Sequence, residues 1–164
     1  MSTRHEGPDH DVSTPVHQPG SLEELGHLVS RFFIWMEALD RRALSTVTPP
    51  LTTSQFHALD ALARTPDLSL GDLATQLLTV KSNASGIIDR LETMGLCESN
   101  QDPADARRIR LTLTAAGMTT LHDAHDARRT ALSLAFPAEE STRVRLLTEL
   151  LRDLSDVLQR AVEA

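Results

Sequence analysis

The sequence predicts a mostly α-helical fold with one small β-hairpin. Between residues 52 and 92, apolar side chains recur with helical spacing in three short segments that are separated by turn residues. Residues 102–106 then have turn chemistry, and residues 109–113 alternate between polar and apolar with the period of a strand. Three short helices followed directly by a hairpin is the order of elements in a winged helix-turn-helix, so we assign the chain to that fold class.

The N-terminal part divides into a tail and a helix. Residues 1–20 contain several His, Pro, Gly and Asp residues and almost no apolar ones, which predicts a disordered tail. Ser21 and Glu24 then match the S-x-x-E pattern of a capping box, so a helix begins there. We assign residues 21–47 to this helix because its wide apolar face continues until Pro49 and Pro50 end it.

Residues 52–114 are predicted to form the winged helix-turn-helix domain. Two capping pairs and one terminal glycine mark its helix boundaries, namely Thr52 with Gln55, Ser69 with Asp72, and Gly95. The helix after Ser69 is expected over residues 70–78, and the next one over residues 81–92. The hairpin that follows is the predicted wing.

The C-terminal residues 115–164 are predicted to form two further helices. Thr114 caps the first of them, and Phe136 with Pro137 separates it from the second. The last helix has an apolar stripe made of Val144, Leu147, Leu151, Leu154, Leu158 and Val162.

The helix over residues 81–92 has one apolar and one polar face. Four apolar residues at i, i+3, i+4 and i+7 form the inner face, namely Ala84, Ile87, Ile88 and Leu91. The other face begins with short polar groups and one cation, which are the side chains that the major groove of DNA accepts: Lys81, Ser82, Asn83 and Ser85. Asn83 is expected to pair with adenine, and Lys81 with guanine or a phosphate.

Four arginines complete the candidate DNA-binding surface. Arg90 lies too far along the helix for most base edges, so a phosphate contact or an internal ion pair is expected. Arg107, Arg108 and Arg110 lie on the predicted wing. Arg107 and Arg108 are expected to enter or straddle the minor groove, and Arg110 adds to the phosphate-binding face. These residues together predict a protein that binds double-stranded DNA.

Composition and charge restrict the class of protein. The chain has 164 residues, of which 40% are hydrophobic and 24% charged, as in ordinary globular proteins. No apolar run is long enough to span a membrane, and no secretory signal is visible, so we expect a cytoplasmic protein without membrane contact. The net charge is −7 and no segment is net basic, which excludes a general polyanion-binding surface but not a small one.

Over roughly residues 22–162 the chain resembles the multiple-antibiotic-resistance regulator (MarR) family. The matching positions are Leu51-Thr52, Gln55-Phe56 and Leu59; Leu73-Ala74 and Leu77; Ile88-Asp89-Arg90-Leu91-Glu92 and Gly95-Leu96; Asp105-Ala106-Arg107-Arg108; and Leu113-Thr114 with Gly117. The resemblance implies a homodimeric transcriptional regulator, usually a repressor. Its N-terminal helix and its two C-terminal helices would form the dimer, and its two winged domains would bind a palindromic operator. It also implies that Asp105 orients Arg107 or Arg108.

The sequence leaves three kinds of effector open. The resemblance implies a pocket for a small aromatic or phenolic ligand, for which Phe33, Trp35, His57 and Asp60 are candidates, although Phe33 and Trp35 also suit a core. His122 and His125 have the i, i+3 spacing of a helical metal site, but an exposed polar surface is favoured, and we assign no metal and no cofactor. Cys97 is interpreted as a buried structural thiol rather than a redox sensor.

Two alternatives to a ligand-released regulator also follow from the sequence. One is a dimeric protein-interaction module on a winged-helix scaffold, which the acidic net charge keeps open. The other is a metal-responsive version of the regulator. An enzyme is not expected, because no nucleophile elbow, phosphate-binding glycine loop or metal-ligand cluster is present in the sequence.

Overall fold

A computed structural model describes residues 20–101, 109–136 and 141–163 of the chain. Six helices and three short strands lie within these ranges. They are α1 (Leu22–Leu44), α2 (Thr53–Arg64), β1 (Leu68–Ser69), α3 (Leu70–Gln76), α4 (Lys81–Thr93), β2 (Cys97–Gln101), β3 (Ile109–Leu113), α5 (Ala115–Ala135) and α6 (Ser141–Glu163). The predicted fold class, mostly helical with a small β-wing, is confirmed.

The chain divides into two compact units within α1, with Met36 the last residue of the first unit. In the first unit, Ser21 Oγ accepts a hydrogen bond from the Glu24 backbone N–H at 3.1 Å, as the capping box predicts. The Glu24 carboxylate accepts from the backbone N–H of Gly20 rather than from Ser21. Large apolar side chains in the described part of this unit are exposed, namely Leu22, Leu25, Leu28, Phe32, Phe33, Ile34 and Trp35.

Side-chain caps fix the beginnings of several helices in the second unit. Thr52 and Gln55 form the predicted capping box at α2, because each side chain accepts a hydrogen bond from the other residue's backbone N–H. Two further helices have a side-chain cap that accepts from the residue three positions on, Ser69 from Asp72 at α3 and Thr114 from Gly117 at α5. Such caps contribute about 0.5–2 kcal/mol each to helix stability.

The small sheet has one strand more than the sequence predicts. The predicted hairpin is formed by β2 and β3, with Cys97 opposite Leu113. β1 pairs with the other edge of β3, Leu68 lying opposite Leu111, so β3 is the central strand of an antiparallel sheet. Two residues are too few to show the alternation that marks a strand, which is why the sequence predicts only a loop and a helix start at this position.

The core of the second unit lies where α2, α3 and α4 meet the sheet. Fully buried side chains come from every one of these elements and from the connections between them, and they include Phe56, Leu59, Leu73, Leu91, Leu96 and Leu111. At about 1.5–3 kcal/mol for each fully buried large apolar side chain, this cluster is what holds the three helices in place.

Gly117 allows α5 to approach the backbone that follows α4. A Cβ atom at this position would overlap the carbonyl oxygen of Leu96, so no other residue fits without a backbone shift. The contact is held by Thr114, whose side chain donates to the Gly95 carbonyl at 2.8 Å and whose backbone N–H donates to Leu96 O at 3.2 Å. The end of α4, the start of the wing and the start of α5 are therefore tied together at one point.

Apolar side chains on α6 are exposed in the single chain. Of the six residues in the predicted stripe, only Leu154 is partly covered. The exposed members, with their neighbours, are Val144, Leu146, Leu147, Leu150, Leu151, Val157, Leu158 and Val162. Within the described residues, no helix combines the length and the apolar character that crossing a membrane requires.

Candidate nucleic-acid interface

Helices α3 and α4 are joined by a four-residue connection and form a helix-turn-helix. Ala84, Ile88 and Leu91 of α4 are buried against the core and Ile87 is partly buried, which is the inner face that the sequence predicts. Because these residues fix the rotation of α4 about its axis, the opposite side of its first turns faces outward.

The outward side of the first turns carries the residues predicted to contact bases. Lys81, Ser82 and Asn83 are exposed, and Ser85 is partly buried. Val80 occupies the N-cap position, and its side chain makes no capping hydrogen bond. The positive end of the helix dipole therefore lies beside a small set of exposed donors, an arrangement that suits the negatively charged surface of DNA.

Thr79 holds the side chain of Asn83, a role that the sequence analysis missed. Asn83 Nδ2 donates to Thr79 Oγ1 at 3.2 Å. This bond uses one of the two amide hydrogens and leaves the second hydrogen and the amide oxygen available for a base edge. Thr79 lies in the connection before α4, one residue ahead of the N-cap Val80, so no helical spacing in the sequence signals this contact.

The wing arginines fall into two groups. Arg110 on β3 pairs with Asp67, which precedes β1, at 3.2 Å between Nη1 and Oδ2. Both side chains are partly exposed, so this pair positions the wing edge but contributes little to stability. Arg107, Arg108 and their predicted support Asp105 lie outside the described residues.

A groove of about 1120 Å³ is lined by α2, the connection between α3 and α4, the outward side of α4 and Gln159 of α6. Its polar lining includes Ser54, His57 and Arg64 from α2, Gln76 and Thr79 from the helix-turn-helix, and Ser82, Asn83 and Arg90 from α4. Apolar surface comes from Ala61, Leu77, Leu78 and Ile87. The described lining includes two arginines, of which Arg64 is paired with the Asp60 carboxylate at 2.9 Å. The groove therefore combines a partly balanced positive charge with apolar surface, which suits an anionic ligand with an apolar body.

The four residues proposed for an effector pocket do not share one environment. His57 lines the groove, whereas Asp60 forms an ion pair with Arg64 at 2.9 Å and lies 3.2 Å from His125 Nε2. Phe33 and Trp35 belong to the first unit, where both side chains are exposed rather than buried in a core.

An ion pair between a buried carboxylate and a partly buried arginine connects the end of α1 to α5. Arg128 Nε and Nη2 donate to the two carboxylate oxygens of Asp40 at 2.7 and 2.9 Å. The Arg128 guanidinium also lies over the Phe56 ring, 4.4 Å from its centroid, and the His125 ring packs edge-on against the same ring. These contacts join α1, α2 and α5 around one core residue of the helix-turn-helix domain.

The histidine pair on α5 and Cys97, the two other candidates for sensing, lie in different surroundings. His122 lies near Asp126, while His125 faces Asp60, and the described residues contain no group of three ligands able to hold a metal ion. Cys97 is 2% exposed, and burial, followed by the charges of Glu92 and Glu98, raises the pKa of its thiol to about 12. A buried thiol with this pKa is protonated at neutral pH and is a poor nucleophile.

Comparisons with known proteins agree with this geometry. The sequence profile of the MarR family matches residues 51–109. The chain is 26% identical over 114 residues to the uncharacterized HTH-type transcriptional regulator YsmB of Bacillus subtilis. These residues make up 70% of this chain and 75% of that protein.

Two solved structures are similar over most of the chain. One concerns the regulation of DNA binding of Bordetella bronchiseptica BpsR by 6-hydroxynicotinic acid, with a TM-score of 0.69, 26% identity and coverage of 87% of this chain and 98% of that one. The other is the transcriptional repressor CouR bound to a 23-mer DNA duplex, with a TM-score of 0.68, 27% identity and coverage of 84% and 98%.

Proposed function

Since this chain belongs to the MarR family of DNA-binding transcriptional regulators, we propose that it acts in the cytoplasm as a homodimeric repressor, released from a palindromic operator by a small aromatic anion. The observation that carries the proposal is the exposed, donor-rich start of α4 on a fixed helix-turn-helix. The family and these relatives are transcriptional regulators rather than enzymes, in agreement with the prediction that the chain is not an enzyme.

The DNA contact is proposed to centre on the start of α4. Lys81, Ser82 and Asn83 enter the major groove, with Asn83 held by Thr79 in an orientation that leaves a donor and an acceptor for adenine. Arg90, which lines the groove beside α4, is assigned to a phosphate. Arg107 and Arg108 remain the proposed minor-groove contacts of the wing on the basis of the sequence alone.

The dimer is proposed from the apolar surfaces that a single chain leaves exposed. The α6 stripe and the apolar face of the first unit both consist of large aliphatic or aromatic side chains. A monomer rarely leaves so much apolar surface in contact with water, and a second copy is the partner that a closed two-fold interface requires. Two winged domains then bind two half-sites about one helical turn apart.

The effector is proposed to bind in the groove between α2 and α4. Arg90 and the Asp60-paired Arg64 supply positive charge for a carboxylate or phenolate, and Leu77 and Ile87 supply apolar surface for a ring. A ligand bound to Arg90 would compete with the phosphate assigned to the same side chain. Because Asn83 also lines this groove, a bound ligand and a base edge would require the same side chain. The aromatic acid that regulates the relative BpsR belongs to this chemical class.

The proposal is tested by footprinting on the DNA that flanks the gene. We expect one protected palindrome, bound with a salt dependence that reports phosphate contacts. Lys81→Ala should weaken binding about thirtyfold or more, because both half-sites lose a contact worth about 1–3 kcal/mol when it is bidentate to guanine. Arg129→Ala is the matched control, since Arg129 is an exposed cation on α5 that pairs with Asp126.

The effector part has its own readout. Aromatic acids such as 6-hydroxynicotinic acid should release the wild-type protein from the protected duplex, and Arg64→Ala should bind the duplex normally but no longer respond. If the aromatic acid releases Arg64→Ala and Arg129→Ala from the duplex equally well, the groove is not the effector site. The absence of any protected palindrome at low salt would contradict the regulator itself.

A further inference from the structure

The residue before the recognition helix has an unusual chemistry for its position. Val80 is the N-cap of α4, with φ −82° and ψ 151°, and it provides no side-chain hydrogen bond to the first turn. Valine is among the poorest residues at this position, whereas serine, threonine, asparagine and aspartate are the favoured ones. The chain uses Thr52, Ser69 and Thr114 to cap α2, α3 and α5.

Burial does not explain the valine. Its side chain is 61% exposed and belongs neither to the core cluster nor to the groove between α2 and α4. The residue therefore lacks both functions that a valine or an N-cap usually has in a folded chain. What it does provide is an exposed, stiff, branched apolar group at the point where α4 begins.

The surroundings of Val80 show what this group would meet. Lys81 follows it directly, and Thr79 before it holds Asn83, the residue best suited to an adenine edge. An apolar group among base-contacting residues has one partner in the major groove, since thymine alone presents a methyl group there. Small apolar side chains contact this methyl, and cytosine or uracil at the same place lacks it.

We propose that Val80 determines part of the operator sequence by packing against the 5-methyl group of a thymine in each half-site. This inference rests on the proposed DNA-binding function and adds to it a residue and a chemical group that select one base. The contact would be continuous with those of Lys81 and Asn83, because all three lie at the outward end of α4.

Replacing single thymines of the protected palindrome with deoxyuridine tests the proposal, because this change removes the methyl group and keeps every base-pairing atom. At one thymine per half-site, the wild-type affinity should fall about fourfold, and about fifteenfold when both half-sites are changed, as expected for loss of one buried methyl-sized group each. Deoxyuridine at the other thymines should change affinity less than about twofold.

Two variants of Val80 separate methyl recognition from other effects. Val80→Ser supplies a favoured N-cap, so its urea midpoint should rise, yet the deoxyuridine penalty at the sensitive thymine should disappear. Val80→Thr keeps one methyl group on Cβ and should retain most of the penalty.

The possible failures are distinguishable. If the palindrome is bound specifically and no thymine shows a penalty that depends on Val80, the inference is wrong and the regulator proposal stands. If Val80→Ser keeps the full penalty, the methyl is recognised by another residue and the inference is again overturned. Lack of any specific duplex would contradict the regulator proposal and this inference together.

Discussion

Replacing Gly117 with alanine is expected to destabilise the protein more than the same replacement at any other glycine that the structure describes. The added Cβ would overlap the carbonyl oxygen of Leu96 and lie 3.1 Å from Leu113 Cδ1. The obstacle is backbone, which cannot rotate away as a side chain can. We expect a loss of about 3 kcal/mol, the upper end of the range for over-packing, because the shift also weakens the hydrogen bond from the Thr114 N–H to Leu96 O.

Gly86 provides the matched control for Gly117. It lies inside α4, its φ is negative, and no atom lies within 4 Å of the Cβ position, so Gly86→Ala should stabilise the fold by about 0.5–1 kcal/mol. Urea unfolding followed by far-ultraviolet circular dichroism measures both variants on one scale. Equal free energies of unfolding for the two variants, or a Gly117→Ala value within about 0.5 kcal/mol of wild type, would refute the packing argument.

Three further predictions concern stability. Burial raises the pKa of Cys97 from 9.0 to about 12, so the thiol ionises first in the unfolded chain, and the free energy of unfolding should fall as the pH rises above 9. The expected fall is about 2 kcal/mol at pH 10.5, and Cys97→Ala should lack it. Leu78→Gly should raise the free energy of unfolding by about 1 kcal/mol, since Leu78 has φ 49° and is 82% exposed, and Gly95→Ala at φ 71° should lower it by a similar amount. A lower value for Leu78→Gly would show that the Leu78 side chain packs. Arg128→Met should lower the free energy of unfolding by about 3–5 kcal/mol, because it leaves the Asp40 carboxylate buried without its partner. Recovery of stability on adding Asp40→Leu would identify the pair as the cause, and an unchanged thermal midpoint for Arg128→Met would contradict the prediction.

Local patterns predicted most of the helical framework. The inner face of α4 and the capping box of α2 follow from spacing within one turn or two, and both are present in the structure. The left-handed residue after α4 was also predicted, since Gly95 has φ 71°. These features depend on residues three to seven positions apart, and such spacings are visible directly in a sequence.

Contacts between distant segments could not be predicted in this way. β1 exists only because Leu68 finds Leu111 on the opposite strand, and the Arg110–Asp67 pair joins residues 43 positions apart. Gly117 shows the same limit, because its sequence context marks it only as an odd residue near a helix start. Its reason is a close approach to Leu96, which belongs to a different element of the fold.

The candidate site was predicted in outline rather than in detail. Lys81, Ser82 and Asn83 are exposed on the predicted face, and their contact with DNA stays a prediction. The role of Thr79 became visible only once the turn brought it next to Asn83, and the groove depends on how far α2 lies from α4. Distances of this kind are set by packing of the whole domain and have no local sequence pattern.

The central claim is that two copies of this chain bind one palindromic DNA site specifically through the start of α4. It is tested most directly by measuring, at about 150 mM salt, the affinity for the protected palindrome and for a scrambled duplex of equal length and composition. We predict two chains per palindrome and a preference of about 10³-fold or more, the lower end for specific DNA-binding proteins. Equal affinities for the two duplexes, or none for either, would contradict the account.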